Sequence, residues 1–274
     1  MSWRELLITV LAGALQGLLE WLPVSSQGNL SIFLSLAGES PEVAVQLSLF
    51  LQLGTTLSAA VYYREDIGRA IADAPGWRPR EAFEGNNAET TFVVVATAMT
   101  GLVGIPIYVL LMDVASELTG GAFVAVIGVL LVITGILQQT SSAVGLGNRE
   151  LPTLLDAVFV GALQGFSILP GVSRSGTTTS ALLFRGYDGP SAFRLSFLLS
   201  IPAGIGAGVL TAVDAGGLPA VGPTAAAGAL VASVVVGYAA IDALLRIVER
   251  VPFWAICYGL GGLAIVGGGL ATLV

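Results

Sequence analysis

The sequence contains no histidine, no lysine and a single cysteine among its 274 residues. Without histidine there is no imidazole to serve as catalytic base or metal ligand. Cys257 alone cannot form an intramolecular disulfide or a cysteine cluster, and its apolar surroundings suit a small core residue of the last span. Charge is also scarce. Only 11% of residues are charged, whereas soluble domains carry about 25%. All 11 cations are arginine, set against 18 carboxylates, for a net charge of −7. That balance, with a pI near 4.5, argues against nucleic-acid partners. An acidic, lysine-free exterior would suit a high-salt cytoplasm.

What is present is apolar. Hydrophobic residues make up 55% of the chain and the mean hydropathy is +0.88, the composition of a polytopic membrane protein. Six segments of about 20 apolar residues predict full membrane helices, at 43–63, 90–112, 119–138, 191–213, 223–245 and 252–273. The first apolar run, Leu6 to Leu19, has the length of a signal-peptide core. It continues into QGLLEWLP rather than a small-residue cleavage site, so we expect it to be retained.

Two further stretches are copies of one motif. Gly13 to Leu30 reads GALQGLLEWLPVSSQGNL, and Gly161 to Thr178 reads GALQGFSILPGVSRSGTT. Aligned without a gap, Gly13, Gln16, Gly17, Ser25 and Gly28 recur as Gly161, Gln164, Gly165, Ser173 and Gly176, and Ser26 faces Arg174. Each copy breaks an apolar run with Pro, Gly and hydroxyl residues, so residues 6–22 with 24–37, and 153–169 with 177–187, predict two re-entrant helix pairs. Their freed backbone groups must face protein or water. The expected fold is therefore an all-α integral membrane domain spanning 1–274. Its halves, 1–140 and 150–274, each hold one re-entrant pair and three full spans. Three crossings per half is an odd number, which makes the second half an inverted repeat of the first.

Arginine placement orients the chain. Arg64, Arg69, Arg78 and Arg80, then Arg149, Arg185, Arg194, Arg246 and Arg250, fall on one side; Glu39, Glu42, Asp113, Glu117 and Asp214 fall on the other. The positive-inside rule makes the arginine side cytoplasmic, with Arg4 the exception. The expected location is the cell membrane, with the two motif tips meeting in the protein interior.

Glu20 is the carboxylate most in need of explanation. It lies four residues after Gln16, so both share a helix face. A lone carboxylate at membrane depth costs about 2.5–3.5 kcal/mol on insertion scales and marks a candidate site, unless it is hydrated at the surface. Arg174 is the matching cation. Its planar fork of donors suits phosphate oxygens; a structural ion pair with Glu20 is the plainer alternative. Ser173, Ser175, Thr177, Thr178 and Thr179 surround the start of the following helix, where free N–H groups attract anions. Ser25 and Ser26 either cap a helix or offer a nucleophile. Gln16 and Gln164 are equivalent in the repeat and either bind polar groups or bond across the halves.

These residues resemble the undecaprenyl-diphosphate phosphatase family of the bacitracin-resistance type over essentially the whole chain. The likeness is carried by Gln16-Gly17-Leu18-Leu19-Glu20 with Pro23-Val24-Ser25-Ser26, by Pro170 to Thr178 (PGVSRSGTT), and by Phe193 to Pro202 (FRLSFLLSIP). The resemblance implies a membrane hydrolase that removes the terminal phosphate of a polyprenyl diphosphate, using Mg2+ or Ca2+, with its active site facing outside. Glu20 would belong to the catalytic or metal-binding group, Ser26 would be a proposed nucleophile, with water the alternative, and Arg174 would grip the diphosphate. Gln16, Ser25, Asn29, Gln164, Ser173, Ser175, Thr177 and Thr178 would complete the substrate site. One departure stands out: the family's first motif usually ends in Gly-His, and here it is Gly28-Asn29. An amide cannot act as general base, so proton transfer would fall to Glu20 or metal-bound water. Two rivals remain open on the same residues, a polyprenyl-phosphate transporter and an inactive lipid-phosphate binder. Expected partners are the lipid and the bilayer, with homodimerisation left open.

Overall fold

The structure, a computed structural model, describes residues 3–73, 77–85, 87–143, 147–149, 151–214, 222–248 and 251–273. Arg250, assigned above to the arginine side, lies outside these. The described residues are mainly helical, without a β-strand among them. Among the described residues six helices are long and apolar enough to cross a membrane. They are α3 (Pro41–Tyr62), α5 (Asn87–Glu117), α6 (Gly120–Ala143), α9 (Gly189–Asp214), α10 (Pro223–Val248) and α11 (Phe253–Ala271). Each coincides with a predicted span to within a few residues. Between them run α1 (Trp3–Leu19), α2 (Ser26–Leu36), the polar α4 (Arg64–Asp73), α7 (Leu154–Gly165) and α8 (Arg174–Phe184).

Glycine faces set the packing. A Cβ built on Gly13 of α1 would lie 2.0 Å from the Ala229 carbonyl oxygen of α10. Its counterpart Gly161 of α7 would stand 2.3 Å from the Ala96 oxygen of α5. Helices α6 and α11 cross where Gly128 and Gly261 face one another's carbonyls at 2.6 and 2.7 Å by the same measure. Such backbone proximity replaces the missing hydrophobic drive between helices in lipid with van der Waals contact.

The short helices end in polar turns that the rest of the fold holds in place. After α1, the indole of Trp21 donates to the Gly237 carbonyl of α10 (3.0 Å). The turn then reaches Ser25, whose backbone adopts φ 58° before α2 begins. After α7, a 3-10 turn (Phe166–Ile168) leads to Gly171 at φ 104°, where a Cβ would meet the Ile127 carbonyl oxygen at 2.6 Å. The outer ends of α7 and α8 are tied by Asp156. This fully buried carboxylate accepts from Arg149 (3.1 Å), Arg185 (2.5 Å), Tyr187 (2.8 Å) and Thr153 (2.6 Å). A charge buried this deeply is tolerable only because two arginines and several donors surround it.

Candidate functional site

The two polar turns touch. Ser25 Oγ accepts from Gly28 N (3.2 Å), capping α2, and from Gly171 N (3.1 Å) in the opposite turn. Gln27 Nε2 donates to the Ile168 carbonyl (2.9 Å) across the same contact. Thr134 of α6 braces the second turn, donating to the Gly171 carbonyl (2.9 Å) and accepting from Ser173 N (3.2 Å). Gln138 Nε2 holds the first turn by donating to the Pro23 carbonyl (2.6 Å).

At this junction Glu20 is buried, its side chain only 5% exposed. Its Oε1 accepts from the guanidinium of Arg174, at the first residue of α8. Its Oε2 accepts from Gln16 Nε2 (2.6 Å), one helical turn back in α1, and from Ser26 Oγ (2.7 Å) at the start of α2. The i,i+4 spacing thus puts Gln16 on the carboxylate as expected. The broken helix then folds Ser26 back onto the same oxygen. Charge-assisted bonds of this kind are about twice as strong as neutral ones, and here they satisfy a carboxylate that water barely reaches.

Around this core lies a polar pocket of about 20 Å3, lined by Glu20, Ser26, Gln27, Gln52, Arg174 and Ser175 among others. That volume holds about one water molecule. Arg174, Gln52 and Ser167 also line a second, mainly apolar cavity of about 150 Å3 between α5 and α9. Its walls there are Gly101, Gly104, Ala203 and Gly206, and a Cβ on Gly101 or Gly206 would meet nothing within 4 Å. A small-residue seam therefore runs from the charged cluster toward the side of the bundle.

Of the residues singled out by sequence, Gln16, Glu20, Ser25, Ser26, Ser173, Arg174 and Ser175 converge here. Ser173 caps α8, accepting from Gly176 N (3.1 Å). Others take different positions. Asn29 Nδ2 donates to the carbonyls of Val24 (2.7 Å) and Ser25 (3.0 Å), so the amide supports the strained turn from behind. Gln164 bonds to Thr100 (3.0 Å) and lines the apolar cavity. The Thr178 hydroxyl donates to the Arg174 carbonyl (2.9 Å) and pairs with Ser196 Oγ of α9 (2.6 Å). Thr177 is buried with its hydroxyl unpartnered.

Gln27, Gln52 and Ser167 belong to the pocket but were not picked out by sequence. Gln52 carried a weak signal, being an amide near the middle of a predicted span, but Gln46, Ser48, Thr55, Thr56 and Ser58 share that span and dilute it. Gln27 and Ser167 stood inside the two motif copies. A divalent cation needs several hard oxygen ligands, and Mg2+ is usually held by one or two carboxylates plus substrate phosphate. No group of three or more Cys, Asp or Glu side chains gathers among the described residues. Glu20 and Ser26 line the polar pocket together with Gln27, whose buried amide oxygen has no hydrogen-bond partner, and these hard oxygens fit a cation that substrate phosphate would complete.

Comparison with known proteins places this chain in a family. The family model described as "Bacitracin resistance protein BacA" matches residues 9–265. A protein of Haloarcula marismortui named undecaprenyl-diphosphatase is 51% identical over 271 residues, covering 98% of this chain and 100% of that one. Proteins of the same name from Methanococcoides burtonii and Methanopyrus kandleri are each 38% identical, covering 94% and 96% of this chain and 96% of their own lengths. A family model spanning most of the chain and full-length relatives at these identities mean that this chain belongs to the BacA bacitracin-resistance family.

Proposed function

We propose that this protein hydrolyses an undecaprenyl-type polyprenyl diphosphate to the monophosphate and inorganic phosphate, recycling the carrier lipid for envelope glycan synthesis. The observation that carries this is the buried Glu20 carboxylate shared by Arg174, Ser26 and Gln16. It is a nucleophile, a base and an anion-binding fork in one cluster, opening onto an apolar seam. The names of the relatives point the same way.

The polar pocket, at about 20 Å3, is too small for a diphosphate, so the Arg174–Glu20 pair must part on binding. Arg174 then turns to the phosphate oxygens, where its fork stabilises the charge of the transferring phosphoryl group. Glu20, released from Arg174, keeps its contact with Ser26 and takes the hydroxyl proton. Ser26 Oγ forms a bond to the terminal phosphorus as the bond from phosphorus to the bridging oxygen breaks, and the lipid monophosphate leaves. Water then attacks the seryl phosphate and the bond from phosphorus to Ser26 Oγ breaks; Glu20 returns its proton to Ser26 Oγ, and the oxygen and both protons of the water leave as part of inorganic phosphate. Asn29 takes no part in proton transfer; its amide fixes the backbone that presents Ser25 and Ser26. The lipid chain lies in the seam between α5 and α9. A divalent cation, Mg2+ or Ca2+, would be held by Glu20 with the amide oxygen of Gln27, and would neutralise diphosphate charge.

The two halves act as an inverted repeat, their broken helices re-entering from opposite faces. Support comes from matched packing. Gly13 on Ala229 repeats as Gly161 on Ala96, and the α6–α11 crossing is reciprocal at Gly128 and Gly261. With arginines gathered at one end, the site serves lipid from the outer leaflet.

The test is inorganic phosphate release from a C55 polyprenyl diphosphate by detergent-purified protein, with Mg2+, Ca2+ or chelator, beside Glu20→Gln and Arg174→Ala. We expect cation-dependent release that both variants lose. Native-rate hydrolysis by either variant would remove the proposed mechanism. Lipid binding without phosphate release in any ion or salt condition would favour a transporter.

A further inference from the structure

A third cavity, of about 650 Å3, lies at the arginine end between α4, α5 and α9. It meets the lipid seam at Pro202, which lines both. On α5 the lining of the two runs through Thr90, Val94, Thr97, Gly101 and Gly104, spaced alternately four and three apart and so on one helix face. On α9 it runs through Arg194, Leu198, Pro202, Gly206 and Leu210, every fourth residue and so one ridge row. At 1.5 Å per residue these rows extend for roughly 20 Å. Seam and cavity are thus two parts of one groove that passes Arg174.

The opposite end of the groove is strapped shut. One turn beyond Gly104, Leu210 and Leu49, Tyr108 Oη and Gln46 Nε2 donate to the same Asp214 oxygen (2.8 and 3.3 Å). Tyr108 is only 2% exposed, so bonds from α5 and α3 to α9 cap the seam away from the arginine end. A tail leaving Arg174 along the groove therefore runs past Pro202 into the third cavity. Val94, Leu198 and Ile201 give that cavity apolar walls, joined by Ile71 of α4. Its charged residues satisfy one another. Arg69 donates to Asp66 (2.6 Å), and Arg194 donates to Glu89 (2.7 Å) with Asp66 3.7 Å away. Two arginines and two carboxylates cancel, so this rim offers no free cation to a second diphosphate, and the walls suit hydrocarbon. Bilayer lipid would suit them too, but a tail tethered at Arg174 reaches them at the higher effective concentration.

We propose that the cavity between α4, α5 and α9 receives the far part of the substrate tail and makes the protein selective for long polyprenyl chains. The inference rests on the phosphatase reading, and its test separates the two. Val94→Trp and Ile71→Trp fill the cavity from positions 63% and 68% exposed, where a larger side chain disturbs no core. Phosphate release from a C55 polyprenyl diphosphate is compared with release from geranyl diphosphate, too short to pass Pro202, by protein in nanodiscs. In each variant kcat/KM for the C55 lipid should fall about tenfold while the geranyl value holds. An unchanged ratio of the two in either variant would overturn the tail site, whether both values hold or both fall. A second readout needs no turnover. A C55 diphosphate carrying a diazirine midway along its chain is photolysed in the same nanodiscs, and crosslinks to α4, or to the Thr90–Val94 and Arg194–Pro202 stretches, are expected. Crosslinks confined to bilayer lipid, or to the seam between Pro202 and Leu210, would overturn the proposal. Absence of phosphate release by the native protein would sink the phosphatase reading alone, the crosslinks still deciding the tail site.

Discussion

The Glu20–Arg174 pair can be tested as a lock and as a catalytic unit in a single thermodynamic cycle. Both side chains are mostly buried, 5% and 17% exposed, and the carboxylate also receives Gln16 and Ser26. Breaking a buried pair by removing one partner costs about 3–5 kcal/mol, because the survivor is left charged and desolvated. Glu20→Gln strands the Arg174 guanidinium and should fall in the upper part of that range. Arg174→Gln leaves the carboxylate with two donors and should cost about 3 kcal/mol. The double variant places two neutral amides face to face and removes the stranded charge. It should therefore lose less than the sum of the singles by about 2 kcal/mol or more. Stability is measured by denaturing-detergent titration in mixed micelles, followed by tryptophan fluorescence. Trp21, 2% exposed and next to Glu20, is placed to report local opening. Phosphate release is assayed on the same samples. Stability should recover in the double variant while activity stays absent. Additive losses would refute the coupling, and an active double variant would refute the catalytic assignment.

Three further outcomes are expected. Gly13→Ala and Gly161→Ala force a Cβ to within 2.0 and 2.3 Å of a facing carbonyl oxygen, so each should destabilise by about 1–3 kcal/mol in the same titration. Gly101→Ala, with open space around the new methyl, should be neutral or slightly stabilising, since alanine is the better helix former; a comparable loss there would show that close approach to a facing carbonyl is not the cause. Asn29→Asp turns two donated hydrogen bonds into an acceptor facing two carbonyls. It should lower both stability and kcat more than Asn29→Ala, and the reverse order would remove Asn29 from the bracing role. Gly101→Leu and Gly206→Leu extend into the open seam; they should raise KM for long-chain lipid diphosphate more than for a short-chain analogue, and equal effects on both would mean that the tail does not lie there.

The spans were legible because uninterrupted apolar runs of about 20 residues have few other uses, and all six predicted segments appear as helices. The motif copies gave the cluster its members for the same reason, since an isolated carboxylate, an arginine and tandem serines have no place in lipid unless they meet. Their individual duties were not legible. The resemblance set Asn29 in place of a histidine, and only the turn geometry reveals an amide facing backbone carbonyls. Ser25 at φ 58° was equally hidden, because serine carries no preference for that region; the conformation is imposed by bonds to Gly28 and Gly171. Thr178 looked like a phosphate ligand from its place at a helix start, yet its hydroxyl is engaged with α9. Equivalent positions in a repeat also need not share a task. Gln16 meets a carboxylate and Gln164 meets a threonine because the second copy has Ile168 where the first has Glu20.

That asymmetry explains how one site can both exclude water and admit a diphosphate. With a single carboxylate facing a single guanidinium, the closed state is neutral and nearly dry, as the pocket of about 20 Å3 indicates. If opening costs about 3 kcal/mol, the lower end for parting such a pair, the open form is roughly one molecule in 150 at rest, since each 1.4 kcal/mol is a factor of ten. A substrate must return that free energy through contacts made only in the open state. Two charge-assisted hydrogen bonds from Arg174 to phosphate oxygens, at about 1.5–3 kcal/mol each, are enough. Once hydrolysis has removed the terminal phosphate, the lipid monophosphate offers fewer such contacts, and re-formation of the Arg174–Glu20 bond competes for the same guanidinium. In the proposed mechanism the pair is a reversible plug whose strength sets substrate selection and product release together. Weakening it without deleting it, as Arg174→Lys would by replacing the planar fork with a point charge, should raise background water access and lower discrimination between diphosphate and monophosphate lipids.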